Sequence, residues 1–399
     1  MLSGDSPAIA RLDEAITACC LAAAAFADAT LAPQRMAQIA MDCLGRLRAA
    51  HPARSAQNLD MAAFRRGLRG PLGSLLPARS EVPREVSGLH LLDGRGQLDE
   101  RAHQLCREHL VPLRALEVPW PWARMRAEQQ QGRLHEALRQ LPPTLYARAR
   151  MLCITHPAGE ARALRRAWGG LWGKADFFEP ISQWSWAQVA GWWFACPLCQ
   201  WPMLVEAEEQ RARVRCTAHA WRGVRYTLDL SRAEGPAPPC LRLTGRPASK
   251  QKWPQQQVTG QPASSDHLAF QEGAWRFTTL AGLSEKELSD RAQTEVPEAR
   301  CEMWPADPYP DAYDVRMSVP TPGSERVFYV DVKDWIDAAA LARALVSKPL
   351  PDRFIHVVIP DHQHSQLPTL NDRLPTKHYR AFTVTRFLDH IADVARGRA

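Results

Sequence analysis

The stretch VFYVDVK (327–333) runs through four apolar residues and then presents Asp331 and Lys333, two positions apart. Side chains alternate along a strand, so both would project from one face while Val332 packs on the other. A carboxylate at the end of a buried strand costs free energy unless a cation or hydrogen bonds compensate it. Asp314, in the preceding segment DAYDVRMSV (311–319), can supply a second carboxylate. Two carboxylates suit Mg²⁺, with Mn²⁺ as a substitute, because such ions prefer oxygen ligands. Lys333 could then orient or help deprotonate a water and stabilise charge on a phosphate, the needs of phosphodiester hydrolysis.

A second constellation has a different chemistry. Cys196 and Cys199 are separated by two residues, as are Cys216 and His219, with sixteen residues between the pairs. Each pair fits a tight turn, and four such donors close a tetrahedral site that suits structural Zn²⁺ and leaves no open position. The intervening MLVEAEEQRARVRC (203–216) predicts two short strands around a polar turn. This arrangement resembles a zinc ribbon, although Gln200 stands where a glycine usually follows the first knuckle.

These residues need elements to hold them. PTPGSE (320–325) is a turn, so 311–319 and 326–333 should form an antiparallel hairpin whose register stays open. The apolar run 327–330 predicts a strand covered on both faces. A helix over 283–293, a strand over 299–304, a helix over 336–348 and a strand over 354–360 complete the order α-β-β-β-α-β. Ser284 and Glu287 have the spacing of a capping box, the preferred reading over a site role for Glu287. His362, His364 and His156 read as loop or unpartnered residues.

Upstream, 8–50, 57–76, 99–118, 122–140 and 144–170 carry apolar residues at helical spacing. The expected organisation is therefore multidomain α+β: a mainly helical region (1–190), a zinc ribbon (191–233), a Pro/Gln/Ser-rich linker (234–266) and a C-terminal α/β domain (267–399). The net charge of +7 is uneven, since residues 101–170 hold twelve Arg and no Lys against five Glu. Such a segment fits DNA phosphates or solvated helix faces. Scattered cysteines and the lack of a spanning apolar stretch predict a reducing cytoplasm and no membrane contact.

The C-terminal order together with Asp314, Asp331 and Lys333 resembles the PD-(D/E)XK restriction-endonuclease-like core, with Asp at the second acidic position. With CPLC…CTAH ahead of YDVRMSV and YVDVKDW, the chain is similar to the nuclease component of prokaryotic PIWI-RE (Argonaute-like) defence modules. That resemblance implies a Mg²⁺-dependent DNA endonuclease acting against plasmid or phage DNA with an Argonaute-like PIWI-RE protein and a DNA helicase. The alternative is a non-catalytic nucleic-acid-binding adaptor that carries an inactive nuclease-like domain.

Overall fold

The structure is a computed structural model. It describes residues 7–28, 31–78, 82–109, 111, 120–174, 177–235, 237–244, 257–305, 312–321 and 323–398. Contacts divide the chain into two units, Met1–Met125 with Ser284–Ala399, and Arg126–Leu283.

In the first unit, helices Pro7–Ala27 and Pro33–Ala50 form a hairpin. The single helical pattern expected over 8–50 breaks because Pro33 lacks the N–H to continue a helix but fits its first turn. Small side chains (Ala15, Ala18, Ala22, Cys19) let neighbouring elements approach closely, and Leu47, Phe64, Leu68 and Leu105 fill the space between them. Each large apolar side chain buried here contributes roughly 1.5–3 kcal/mol. Ile336, from the C-terminal segment, inserts into this same cluster. The expected helix over 99–118 is Glu100–Glu108, N-capped by Asp99; residues 110 and 112–119 lie outside the described residues.

The same unit holds a five-stranded mixed sheet. Strands Arg300–Met303, Val315–Thr321 and Ser324–Val332 pair antiparallel, and Ile355–Ile359 and Tyr379–Thr383 continue the sheet in parallel. Thr321 pairs with Ser324, and Gly323 takes φ +86, a left-handed conformation that glycine adopts without steric cost. One face (Met317, Phe328, Val330, Val358) packs on helices Leu280–Glu295 and Val384–Ala395 through Leu288, Phe387 and Ile391. The other face (Ile355, Val357, Ala381) packs on Ala338–Val346 and Leu367–Arg373 through Leu341, Leu345 and Leu370. From Phe328 onward one face is buried (Phe328, Val330, Val332) and the other, with Tyr329, is half-buried; Val327, expected inside, is 38% exposed because it lies close to the hairpin turn.

The capping box at Ser284 does not form. Helical backbone extends upstream through Glu272–Ala274 and the π-turn Trp275–Thr279, so Ser284 sits inside a helix with no free amides to cap.

The second unit contains helix Pro143–Thr155 and several small sheets. The helix expected over 144–170 is interrupted by strand Ala158–Glu160, which pairs with His267–Phe270. Aromatic stacking is dense: Trp201 and Trp275 lie 4.1 Å apart at 11°, and Trp201 Nε1 donates to the Phe270 carbonyl at 2.9 Å. Of the residues 234–266 expected as linker, Arg242–Leu243 and Gln261–Pro262 are strands, while 245–256 lie outside the described residues. The structure is thus mixed helix and sheet, and no described helix is long and apolar enough to cross a membrane.

Candidate active site and metal centre

The hairpin register left open by the sequence is Val315 opposite Val330. It sets Asp314 beside the end of the charged strand, where its Oδ2 accepts from Val332 N at 2.7 Å and lies 3.3 Å from Lys333 Nζ. Lys333 Nζ also donates to Asp331 Oδ1. The three residues chosen for their types and spacing therefore meet at one point. Lys333 N donates to Val358 O at 2.9 Å, so the parallel strand holds the lysine's backbone in place.

Their electrostatics are those of a crowded, poorly hydrated cluster. Burial and the nearby Asp314 carboxylate push Asp331 up to about 7, against the opposing pull of Lys333. Burial alone would lower the Lys333 ammonium, but Asp314 and Asp331 outweigh it and hold the lysine charged. Two carboxylates facing one ammonium leave a net negative site of oxygen donors. Asp314 and Asp331 fit a hard divalent cation in donor type and charge.

One acidic residue escaped the sequence reading. Glu285, 2% exposed on helix Leu280–Glu295, accepts from Trp304 Nε1, and its charge is felt at Lys333. Glu287, the first-helix candidate, is half-buried. The available signal was helical phase: Glu285 lies three residues before Leu288 and seven before Ala292, on the core-facing stripe.

The loop after the strand is held from the helical region. Gln104 Nε2 donates to Asp334 Oδ1 at 3.0 Å, and Glu108 accepts from Ile336 N at 2.6 Å and Asp337 N at 3.3 Å. Burial pushes Glu108 up to about 8 although both amides favour its charged form. Asp337 then caps helix Ala338–Val346 through Ala339 N and Ala340 N, both at 2.9 Å. The segment from Lys333 to that helix is thus fixed at several successive residues.

In the second unit, Cys196, Cys199, Cys216 and His219 converge with all donor atoms within 4.8 Å and all four residues buried. The edges are 3.8 Å for Cys199 Sγ to Cys216 Sγ, 3.6 Å for Cys196 Sγ to His219 Nδ1 and 3.4 Å for Cys216 Sγ to His219 Nδ1. A tetrahedron with Zn–S of about 2.3 Å and Zn–N of about 2.0–2.1 Å has edges of roughly 3.5–3.8 Å. The cluster therefore fits a metal such as zinc in donor type, number and spacing. Burial at Cys216 is outweighed by hydrogen bonds from the Cys196 and Cys199 thiols and by His219, which hold that thiol well below its usual range. Burial and the neighbouring thiols push Cys196 up.

The first knuckle is a tight turn in which Gln200 N donates to Cys196 O at 2.8 Å and Leu198 N to Cys196 Sγ at 3.4 Å. Gln200 takes φ +58, the conformation that glycine would adopt without strain, and its side chain donates to Pro197 O at 3.2 Å. In the second knuckle Gly223 takes φ +93 and Val224 N returns to His219 O at 3.1 Å. Strands Leu204–Ala207 and Arg211–Arg215 join the knuckles as the pattern predicts, and Arg225–Asp229 extends the sheet.

The Arg-rich segment divides by role. Arg150 is buried, Arg126 pairs with Glu179 at 3.6 Å, and Arg165 lies over Trp172 at 5.7 Å. Arg114 lies outside the described residues.

Residues 282–399 match the family model described as "REase associating with pPIWI_RE". The match spans under a third of the chain and includes Asp314, Asp331, Lys333 and Glu285. No curated protein and no solved structure gives a match. The C-terminal segment is thus similar to restriction-endonuclease-like domains that associate with pPIWI_RE.

Proposed function

We propose that the chain is a metal-dependent DNA endonuclease of a PIWI-RE defence module, with a PD-(D/E)XK-type centre formed by Asp314, Asp331 and Lys333. The observation that carries this is the meeting of two carboxylates and one ammonium at a strand end, inside the segment that matches the restriction-endonuclease family. Asp314 and Asp331 would hold Mg²⁺ or Mn²⁺, and an ion there supplies Lewis-acid polarisation of the phosphoryl oxygens. Burial and Asp314 raise Asp331, and a divalent ion held there would favour its carboxylate form. Lys333, held charged by both aspartates, stabilises negative charge that builds on the phosphate. Glu285 and Trp304 brace this end of the sheet from the first helix.

Cys196, Cys199, Cys216 and His219 hold a structural zinc in this reading, because four buried protein donors leave no place for substrate. The protein partners would be the Argonaute-like PIWI-RE protein and a DNA helicase, in the cytoplasm. Nothing in the donor geometry requires the zinc site to take part in cleavage.

The test uses labelled duplex DNA with Mg²⁺, comparing the chain with Asp331→Ala and Lys333→Met while zinc content is followed in parallel. Loss of cleavage in both variants at unchanged zinc content supports the proposal. Equal cleavage by all three proteins would contradict it. Metal-independent DNA binding with no cleavage by any of them, partners included, would support the adaptor instead.

A further inference from the structure

A cavity of about 570 Å³ lies in the helical part of the first unit, bounded by Arg65, Arg66, Arg69 and Arg95. Among the described residues no carboxylate pairs with any of the four; Asp93, the nearest acid in sequence to Arg95, accepts instead from Arg95 N at 2.8 Å and Gln97 N at 2.9 Å. Arg65 and Arg66 occupy the last turn of helix Met61–Gly67, where the helix dipole favours cations. That dipole does not account for Arg69 and Arg95. Arg69 follows two residues after the end of that helix. Arg95 comes from a separate loop, whose Gly96 takes φ +78 and would place a Cβ 3.6 Å from the Arg69 guanidinium. Two elements thus bring four cations to one concavity without internal neutralisation.

Part of the lining is apolar. Phe26, Met36 and Leu92 form it, and the Arg65 guanidinium carbon lies 5.1 Å from the Phe26 ring centroid. A bare phosphate would leave most of this volume empty and this part unused. A ligand with a phosphate and a flat aromatic part satisfies both, by charge-assisted hydrogen bonds and by packing on Phe26, Met36 and Leu92 beside the Arg65–Phe26 contact.

We infer that this cavity is a nucleoside-phosphate site, formed by Arg65, Arg66, Arg69 and Arg95 against Phe26, and separate from the Asp314–Asp331–Lys333 centre. The same chemistry is offered by a free nucleotide and by the phosphorylated terminal nucleotide of a DNA strand. The inference stands on these residues and does not depend on the nuclease proposal.

Calorimetry on the full chain, without added Mg²⁺ and in the Asp331→Ala background to prevent cleavage, tests it with four probes. They are ADP, inorganic phosphate, and a short single-stranded oligonucleotide with and without a 5′-phosphate. The expected result is one binding event for ADP or the phosphorylated oligonucleotide, weakened at least about tenfold in Arg69→Gln/Arg95→Gln, with unchanged thermal unfolding. Binding of ADP alone identifies the free nucleotide as the source; preference for the phosphorylated over the unphosphorylated oligonucleotide identifies a strand end. Phe26→Leu should weaken ADP and leave inorganic phosphate unchanged, and it serves with single Arg66→Gln if the double variant does not fold. Unchanged affinity in the arginine variants, no binding of either nucleoside phosphate, or inorganic phosphate binding as tightly as ADP would overturn the inference.

Discussion

At the level of single residues, few side chains carry charge in enclosed places. Removing Asp331 or Lys333 should lower cleavage by ~10²–10⁴-fold, the usual worth of a proton-transfer or charge-stabilising group. Substrate binding should change far less, so single-turnover rates are the measurement that separates chemistry from affinity. Gln200 offers a test in the opposite direction. Its φ of +58 is strained for a side chain, so Gln200→Gly should stabilise the protein by up to about 1 kcal/mol, net of the lost Pro197 hydrogen bond. Thermal unfolding of the zinc-loaded chain reads this, and a lower unfolding temperature would contradict it. His356 supplies a separate pH test. Burial among Phe328, Phe354, Phe382 and Phe387 pushes it down to about 4, with His390, Arg380 and Arg326 acting in the same sense. The unfolded chain takes up this proton near pH 6.5 and the folded chain only near 4, so its stabilising contribution is full above 6.5 and disappears as pH falls through 4. That loss is about 3 kcal/mol, and denaturant titrations of His356→Phe beside the parent should show it diminished.

At the scale of the element, the two constellations were legible in the sequence to different depths. The CxxC…CxxH pairs carried their own geometry, because a knuckle is local and its donors are fixed by two short turns and the hairpin between them. Asp314, Asp331 and Lys333 were legible as types on adjoining strands, but their meeting depended on a register that only the sheet decides. Glu285 was hidden because a buried acid on an apolar helical stripe looks like any surface glutamate until the packing partner is known. The strand Tyr379–Thr383 and the helix Val384–Ala395, which complete the sheet, follow the last segment that the sequence reading assigned. The false capping box had a related cause: Ser284 and Glu287 satisfy the local pattern, but the helix had already begun upstream through a π-turn. For the metal element, Cys216→Ser should abolish stoichiometric zinc and leave strands Leu204–Ala207 and Arg211–Arg215 open to amide exchange. The five-stranded sheet should keep its protection. Retention of zinc by that variant would remove the four-ligand account.

At the scale of the whole molecule, the restriction-endonuclease-like segment does not stand apart from the helices that begin the chain. Ile336 is buried in their core, and Glu108 and Gln104 hold the backbone that leads from Lys333 to its following helix. Glu108→Ala leaves two amides unpaired and should cost about 1–3 kcal/mol, while Glu108→Gln, which keeps an acceptor, should cost less. If this brace positions the centre, Glu108→Ala should also slow cleavage at saturating DNA, and equal rates in the two variants would confine it to stability. The most direct test of the central claim is cleavage of supercoiled plasmid with Mg²⁺, by the chain with its PIWI-RE and helicase partners, beside Asp331→Ala in the same assembly. Nicked or linear product that requires the metal and disappears in the variant is the expected result. Product formed equally by both assemblies, or by neither, would contradict the assignment of Asp314, Asp331 and Lys333 as a nuclease centre.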